Sequence, residues 1–165
     1  MSKAIKITKG LDLKLYGEPT PEVVETFVSE YALKPKDFIG LTPKLLIEEG
    51  ERVKAGTPLF YAKGKEKVLF TSPVSGVVKQ VKRGEKRVIE EVIVSADETI
   101  EYLDFGVSSI SELNAEQIKE KMLISGAWTL LRQRPYSVVP NLDTTPKCII
   151  VSGFSSAPLA PDYSI

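Results

Sequence analysis

Short apolar runs separated by turn residues fill positions 45–95, and this pattern predicts a small β-barrel. One turn occurs twice, as Gly50-Glu51-Arg52-Val53 and as Gly84-Glu85-Lys86-Arg87-Val88, with the two glycines 34 positions apart. A Ser-Pro-Val-Ser-Gly turn at 72–76 lies between them. Turns repeated at such a spacing indicate two interlocked hairpin layers with approximate internal symmetry.

The segments before this unit also read mainly as strands. Residues 4–8 alternate apolar and polar side chains, and Leu11, Leu13 and Leu15 continue the alternation as a second strand or an extended arm. Positions 21–33 fit a helix and a strand almost equally, and we interpret them as a strand because the segment is rich in valine and bounded by prolines. We expect 38–41 to continue extended and 45–47 to be a buried strand.

The pattern changes after Ala96, and residues 111–132 carry a helical signal. Asn114 is a suitable N-cap and Gln117 stands three residues later, as in a capping box. Ser125-Gly126 interrupts the helix, a further helical turn is expected after it, and Pro135 ends it.

A continuous apolar run at 148–151 fits a strand that is buried on both faces of a parallel sheet. A single strand cannot bury both of its faces, so we expect this run to begin a second, α/β domain whose remainder lies elsewhere. The predicted division is a β barrel-sandwich domain at 1–100, a helical linker segment at 101–146, and the first strand and loop of an incomplete α/β domain at 147–165.

Composition excludes several kinds of partner. The 165 residues contain 22 Lys and Arg and 22 Asp and Glu, and this balance argues against electrostatic capture of nucleic acid. One cysteine, Cys148, cannot form an intrachain disulfide. The first ten residues have no apolar core typical of a signal peptide, and no run approaches the length needed to span a bilayer.

The chain has no histidine, which removes the common nucleophile pairs, imidazole zinc sites and the usual general base near neutral pH. No phosphate loop, CxxC motif or metal-ligand spacing occurs. The acidic pairs Glu48-Glu49 and Glu90-Glu91 would point to opposite faces of their strands, which disfavours a shared metal or proton. Catalysis would therefore have to rest on carboxylates, lysines or a bound cofactor.

The stretches EGERVKAGTPL (49–59) and SPVSGVV (72–78) resemble the barrel-sandwich fold of biotinyl and lipoyl carrier domains. The resemblance implies an exposed hairpin between them, with the modified lysine at Lys65. The flanking Gly64 and Glu66 differ from the residues that carriers place there. The alternative is that Lys63, Lys65 and Lys67 form a solvated, charged hairpin end.

A second resemblance covers nearly the whole chain. The segments KITKGLDLKLYGEP, FTSPVSGVVKQVKRGEKRVIEEVIV and SGAWTLLRQRPYSVVP are similar to the A subunit of the sodium-translocating NADH:quinone reductase. The resemblance implies a peripheral subunit on the cytoplasmic side of the bacterial inner membrane, which reaches the membrane only through partner subunits.

That pump oxidises NADH, reduces a quinone and exports sodium. Flavins and an iron–sulfur centre are expected on the other subunits, and no cofactor on this chain. The resemblance implies that the chain contributes to assembly and to the quinone reaction, with no catalytic, cofactor-binding or metal-binding residue of its own.

More distant similarities extend to the NADH- and FMN-binding subunit of respiratory complex I and to the C subunit of the Rnf complex. The flavin site of the former is glycine-rich, whereas this chain has Trp128, Leu130 and Leu131 in the matching run, which we interpret as core packing. The iron–sulfur motifs of the latter need several cysteines, and this chain has only Cys148.

Two arginines follow the predicted helix and are candidates for ligand or subunit contacts, together with Lys65. Arg132 and Arg134 could hold a carboxylate or phosphate in bidentate geometry. The alternative is that they interact with the negative end of the helix dipole.

Overall fold

The computed structural model describes residues 15–17, 20, 22–26, 28–153, 157 and 159–160. The strand predicted at 4–8 and most of the arm predicted at 11–15 lie outside the described residues. The chain divides into two units, one of residues 27–144 and the other of 1–26 with 145–165, and each is described by itself.

The larger unit is mostly β, as predicted. Its first sheet has the strand order β1-β7-β6-β3 and its second the order β2-β4-β5, and all neighbouring strands are antiparallel. The strands are β1 (Glu30–Leu33), β2 (Pro43–Leu45), β3 (Arg52–Val53), β4 (Pro58–Ala62), β5 (Lys65–Thr71), β6 (Gly76–Arg83) and β7 (Ile89–Ala96). The 3₁₀ turns are Pro35–Asp37, Glu85–Arg87, Ile110–Glu112 and Ala127–Leu130, and the helix α1 is Ala115–Ile124.

Alternate residues of both sheets supply the core, as expected for strands with one buried face. Phe60 and Phe70 stack with their ring centroids 5.0 Å apart, and Phe38 meets Phe70 edge to face at 4.6 Å. From the first sheet, Val92 and Val94 are almost completely buried. Burial of each such side chain stabilises the fold by about 1.5–3 kcal/mol. Packing of these side chains therefore holds the two sheets against each other.

The Ser-Pro-Val-Ser-Gly turn joins β5 of the second sheet to β6 of the first, and its Ser75 side chain is hydrogen-bonded to the segment after β7. The Ser75 hydroxyl donates to Asp97 Oδ2 at 2.9 Å and accepts from the Glu101 amide at 2.9 Å, and Ser75 is only 1% exposed. Gly76 follows with φ +154°, between Val53 of β3 and Ala96 of β7. A Cβ atom at Gly76 would lie 1.8 Å from the Ser95 carbonyl oxygen, so only glycine fits.

Three strand predictions before this turn need correction. The described residues within 22–26 form no strand, and β1 covers only 30–33 of the segment predicted as strand. Residues 38–41 are not extended, because the Leu41 amide bonds the Phe38 carbonyl at 3.1 Å and Gly40 has φ +75°. The predicted buried strand at 45–47 ends at Leu45, and Leu46 is 48% exposed.

The helix is shorter than the sequence predicts, although its start is confirmed. Asn114 and Gln117 form a reciprocal capping box, with both bonds at 2.9 Å. The helix ends before Gly126, which has φ +77° and whose Cβ would lie 2.5 Å from Thr71 Oγ1 of β5. A 3₁₀ turn follows, so the helical segment ends at Leu130 rather than at Pro135. Among the described residues, no helix is long and apolar enough to cross a membrane.

The apolar run at 148–151 belongs to the smaller unit and is not a strand there. Ile149, Ile150 and Val151 are 78%, 86% and 84% exposed. A strand forms only beside another strand, since its amide and carbonyl groups need partners. No strand pairs with this run in the described part of the chain, which accounts for the difference from the predicted buried strand.

Replacing Gly76 by alanine should prevent normal folding. The new Cβ would overlap the Ser95 carbonyl, so we expect a loss of more than about 4 kcal/mol in the free energy of unfolding, measured by urea denaturation. Gly64→Ala is the control, because Gly64 also has a positive φ but no atom lies within 4 Å of its Cβ position. It should cost only about 1–2 kcal/mol. Equal losses in the two variants would contradict the packing argument.

Replacing Ser75 by alanine should destabilise the fold by about 1–3 kcal/mol, because it removes a buried hydroxyl that donates to Asp97 and accepts from the Glu101 amide. Ser109→Ala is the control, since the Ser109 hydroxyl bonds only the exposed Ser111 hydroxyl. Urea denaturation at pH 7 would measure both, and a Ser75 variant as stable as the control would refute the role of this hydroxyl.

Candidate interaction groove

One face of β5 carries both charge and apolar surface. Lys65, Lys67 and Leu69 alternate with the core residues Val68 and Phe70, so the first three share the face that points away from the core. The strand starts immediately after the turn at 63–64, where its first residue pairs with β4. We call this face the β5 wall.

A stripe on helix α1 forms the opposite side. Glu116, Glu120, Leu123 and Ile124 follow the spacing that places side chains on one helical face, and Lys119 lies in the same stripe. We call this face the α1 wall. Contacts between α1 and β5 hold the two walls together, and Leu123 is buried at 8% exposure.

A short loop at 140–143 completes the groove. Trp128 Nε1 donates to the Pro140 carbonyl at 3.1 Å, and Lys119 Nζ donates to the Leu142 carbonyl at 2.6 Å. These bonds attach the loop to the helical segment, so the groove is built from three connected elements. Its volume is about 990 Å³. Its lining residues are Gly64, Lys65, Glu66, Lys67, Leu69, Glu116, Lys119, Glu120, Leu123, Ile124, Asn141, Leu142 and Asp143.

Both sides of the groove carry charges of both signs. Lys65, Glu66 and Lys67 line it from β5, and Glu116, Lys119 and Glu120 line it from α1. Within the described chain, no ion pair connects the two sides. The groove therefore offers cations, carboxylates and apolar side chains.

The groups in this groove are suited to binding. The described residues contain no cluster of three or more Cys, Asp and Glu side chains placed to hold a metal ion. Every buried side-chain nitrogen and oxygen atom in that part of the chain has a hydrogen-bond partner. The arrangement can provide counter-ions and apolar contacts to a bound molecule.

The three predicted contact residues lie in different surroundings. Lys65 lines the groove and is exposed. Arg132 folds back and donates to the Thr129 and Leu131 carbonyls, and its guanidinium lies 5.5 Å from the Phe38 ring centroid. Arg132 therefore stabilises the end of the 3₁₀ turn by hydrogen bonding and cation–π attraction. Arg134 is exposed and does not line the groove.

The apolar residues near these arginines agree only in part with the predicted core packing. Trp128 packs against the core, and Leu131 is half-buried. Leu130 is 79% exposed, so its predicted role in core packing is wrong. In a 3₁₀ turn successive side chains point about 120° apart, and the turn leaves Leu130 on the outer side.

The two acidic pairs differ in their setting. Glu90 and Glu91 lie on β7, as predicted, whereas Glu48 and Glu49 precede β3 and lie on no strand. Glu49 accepts from the Val81 amide at 2.6 Å, and the Glu90 carboxylate lies over Gly84. Glu91 lies between Lys34 Nζ at 3.4 Å and Lys82 Nζ at 3.6 Å. Partial burial alone would raise the pKa of Glu91, but the Lys34 hydrogen bond and the Lys82 charge outweigh it and hold the pKa below its ordinary value.

The α1 wall is the part of the groove that the sequence did not reveal as a site. The spacing of Glu116, Glu120 and Leu123 is a sequence signal for this helical stripe. The sequence also places Lys65 directly after a turn. No feature of the sequence indicated that this stripe would face β5. The link depends on the close approach of Gly126 to Thr71, which is a tertiary contact.

Two family models match the chain and agree with this architecture. The model of the NqrA N-terminal barrel-sandwich hybrid domain matches residues 5–97, and that of the NqrA second alpha/beta domain matches residues 113–165. The larger part of the chain is therefore a barrel-sandwich hybrid domain, followed by the start of an α/β domain. The chain belongs to the NqrA family.

Curated relatives agree with this assignment, and all three described here are A subunits of the Na(+)-translocating NADH-quinone reductase. The chain is 39% identical over 166 residues to that of Serratia proteamaculans, in an alignment that covers 98% of this chain and 37% of that protein. It is 40% identical over 164 residues to that of Actinobacillus pleuropneumoniae, with 98% and 36% covered. The protein of Yersinia pestis is 38% identical over 164 residues, with 98% and 37% covered. The chain thus spans a little over a third of the length of these relatives.

Glu91 should make stability depend on pH. Because its pKa is lowered in the folded state, its contribution is fully present above the unfolded value of about 4.3 and is lost as the pH falls through the lowered folded value. Urea denaturation from pH 7 to pH 3 should show the native chain more stable than Glu91→Gln at pH 7, with the difference shrinking in acid. Glu98→Gln, at an exposed position, is the control. A difference for Glu91→Gln that stays constant over this range would refute the ion-pair explanation.

Proposed function

We propose that this chain is the N-terminal part of the A subunit of a sodium-pumping NADH-quinone reductase. The observation that carries the proposal is the match of 98% of the chain to proteins named as that subunit. In this proposal the complex oxidises NADH, reduces a quinone and transports sodium. The subunit is peripheral, lies on the cytoplasmic side of the bacterial inner membrane, and reaches the membrane through its partners.

The proposed task of this part of the subunit is assembly, and through assembly it contributes to the quinone reaction. The groove beside the β4–β5 hairpin, lined by charged and apolar side chains, supports a binding role. In the same proposal, NADH, flavins, the iron–sulfur centre and the quinone act elsewhere in the complex, and this chain holds no cofactor. The run at 126–140 supports that view, because Trp128 is packed against the core where a flavin site would need small residues.

The domain division is also a proposal, with a β barrel-sandwich at 1–100, a helical linker at 101–146 and the beginning of the α/β domain at 147–165. The end of the last strand, β7, at Ala96 supports a boundary near residue 100. In this division the linker packs on the barrel, as the Gly126–Thr71 contact indicates.

Deleting the full-length subunit in the native host should abolish sodium-stimulated NADH:quinone reductase activity of the membranes, and a tagged copy on a plasmid should restore it. The tagged subunit should also co-purify with the flavin-containing subunits from detergent-solubilised membranes. The isolated subunit should be colourless, because no flavin is expected on it.

Two results would contradict this proposal. One is a deletion strain that keeps its sodium-stimulated activity, and the other is a tagged subunit that never purifies with the flavoprotein subunits. Intact mass spectrometry of the same preparation tests the carrier alternative. An acyl group on Lys65 would support the carrier function instead.

A further inference from the structure

We propose that β1 is a latch: an edge strand that opens from β7 while the rest of the barrel stays folded, with ionic strength controlling the opening. The inference goes beyond the proposed function and does not depend on it. It rests on the small buried surface of β1, on the ion pairs that join it to the sheet, and on the place where the chain is anchored after it.

Burial holds β1 only weakly. The strand lies at the edge of the first sheet, and within the described residues it pairs with β7 alone. Its first three residues are exposed, and only Leu33 is half-buried and packs against the core. Val92 and Val94 of the neighbouring β7 are almost completely buried by comparison. A strand with few buried apolar contacts opens at a lower free energy than the core does.

Ion pairs on the outer face supply a further part of the attachment. Glu30 of β1 pairs with Lys79 of β6. Lys34, directly after β1, pairs with Glu91 of β7 at 3.4 Å. Lys82 of β6 lies 3.6 Å from the same carboxylate, so Glu91 keeps one cation when β1 opens. Exposed ion pairs of this kind each change an equilibrium by a factor of about two to five, and salt weakens them.

The chain is anchored immediately after the latch. Pro35 is buried, and Phe38 packs edge to face on Phe70 with the ring centroids 4.6 Å apart. The Arg132 guanidinium lies 5.5 Å from the Phe38 ring centroid. These contacts hold the 3₁₀ turn in place while β1 moves, so Lys34 is the hinge of the latch.

Opening of the latch changes which strand forms the edge of the first sheet. Because β7 pairs with β1 on one side and with β6 on the other, release of β1 leaves the outer side of residues 92–95 unpaired. The Ala96 amide, which donates to the Ser29 carbonyl at 2.8 Å, loses its partner too. An unpaired strand is the part of a sheet that accepts an added strand. The latch therefore controls access to β7.

Native-state hydrogen exchange on the 165-residue chain tests this opening. The amides of β1 should have protection factors about a hundredfold smaller than those of the β4–β5 hairpin. Their exchange should depend only weakly on urea, because a local opening exposes little surface, whereas exchange in the hairpin should follow global unfolding. The same urea dependence in β1 and in the hairpin would show that β1 opens only with the whole barrel, and this overturns the proposal.

Ionic control is tested with salt and with a double variant. Raising the NaCl concentration from about 0.05 M to about 1 M should lower the protection of the β1 amides about fivefold. Glu30→Gln combined with Lys34→Gln removes both pairs between β1 and the sheet, and it should cause a similar loss and abolish the salt effect.

The matched control is Lys54→Gln combined with Glu101→Gln, which removes an ion pair of 3.1 Å away from the latch. That pair stays formed when β1 opens, so the control should leave the protection and the salt dependence of the β1 amides unchanged. Salt dependence that persists in the double variant of the latch would overturn the ionic control.

A disulfide lock tests the movement itself. Ala32 and Ile93 lie directly opposite each other, and the bond from the Ala96 amide to the Ser29 carbonyl makes theirs a non-hydrogen-bonded pair. The Cα atoms of such a pair are about 4.5 Å apart, which suits a disulfide. In a chain with Cys148→Ser, the oxidised pair Ala32→Cys and Ile93→Cys should raise the protection of β1 to that of β6. Reduction should reverse the change, and equal protection in the two redox states would contradict the latch.

Discussion

The close approach of Gly76 to the Ser95 carbonyl is the constraint on which the barrel depends. At this point β6 lies between β3 and β7, so a side chain at Gly76 would push the first sheet apart. The adjacent Ser75 hydroxyl bonds both Asp97 and the Glu101 amide, which fixes the chain as it leaves the last strand. This turn therefore sets the spacing of β3, β6 and β7 and the direction of the chain after β7.

A second glycine fixes the position of the helical segment. Gly126 is buried against Thr71 at the far end of β5, in a left-handed conformation that also ends α1. The helix is thereby held beside β5 and is not free to pack elsewhere. The groove follows from this placement, because the outward face of β5 and one stripe of α1 are brought together.

Local signals were predictable from the sequence, and tertiary placement was not. The paired turns, the Ser-Pro-Val-Ser-Gly turn and the Asn114 cap are short-range features, so they could be identified without knowing the fold. Residues 38–41 were wrongly predicted as extended, since the bend places Phe38 on Phe70, which is distant in the sequence. The prediction of a buried strand at 148–151 was wrong for another reason. A buried strand needs neighbouring strands, and the described residues do not provide them.

Lys65 belongs to a paired strand and not to the hairpin turn. The hairpin turn consists of Lys63 and Gly64, whereas Lys65 is the first residue of β5 and pairs with Ala62 of β4. Its side chain lies on the wall that faces α1, beside carboxylates at a distance too great for an ion pair. Acylation would remove the charge of Lys65 and leave Lys67 as the remaining cation on this face of β5.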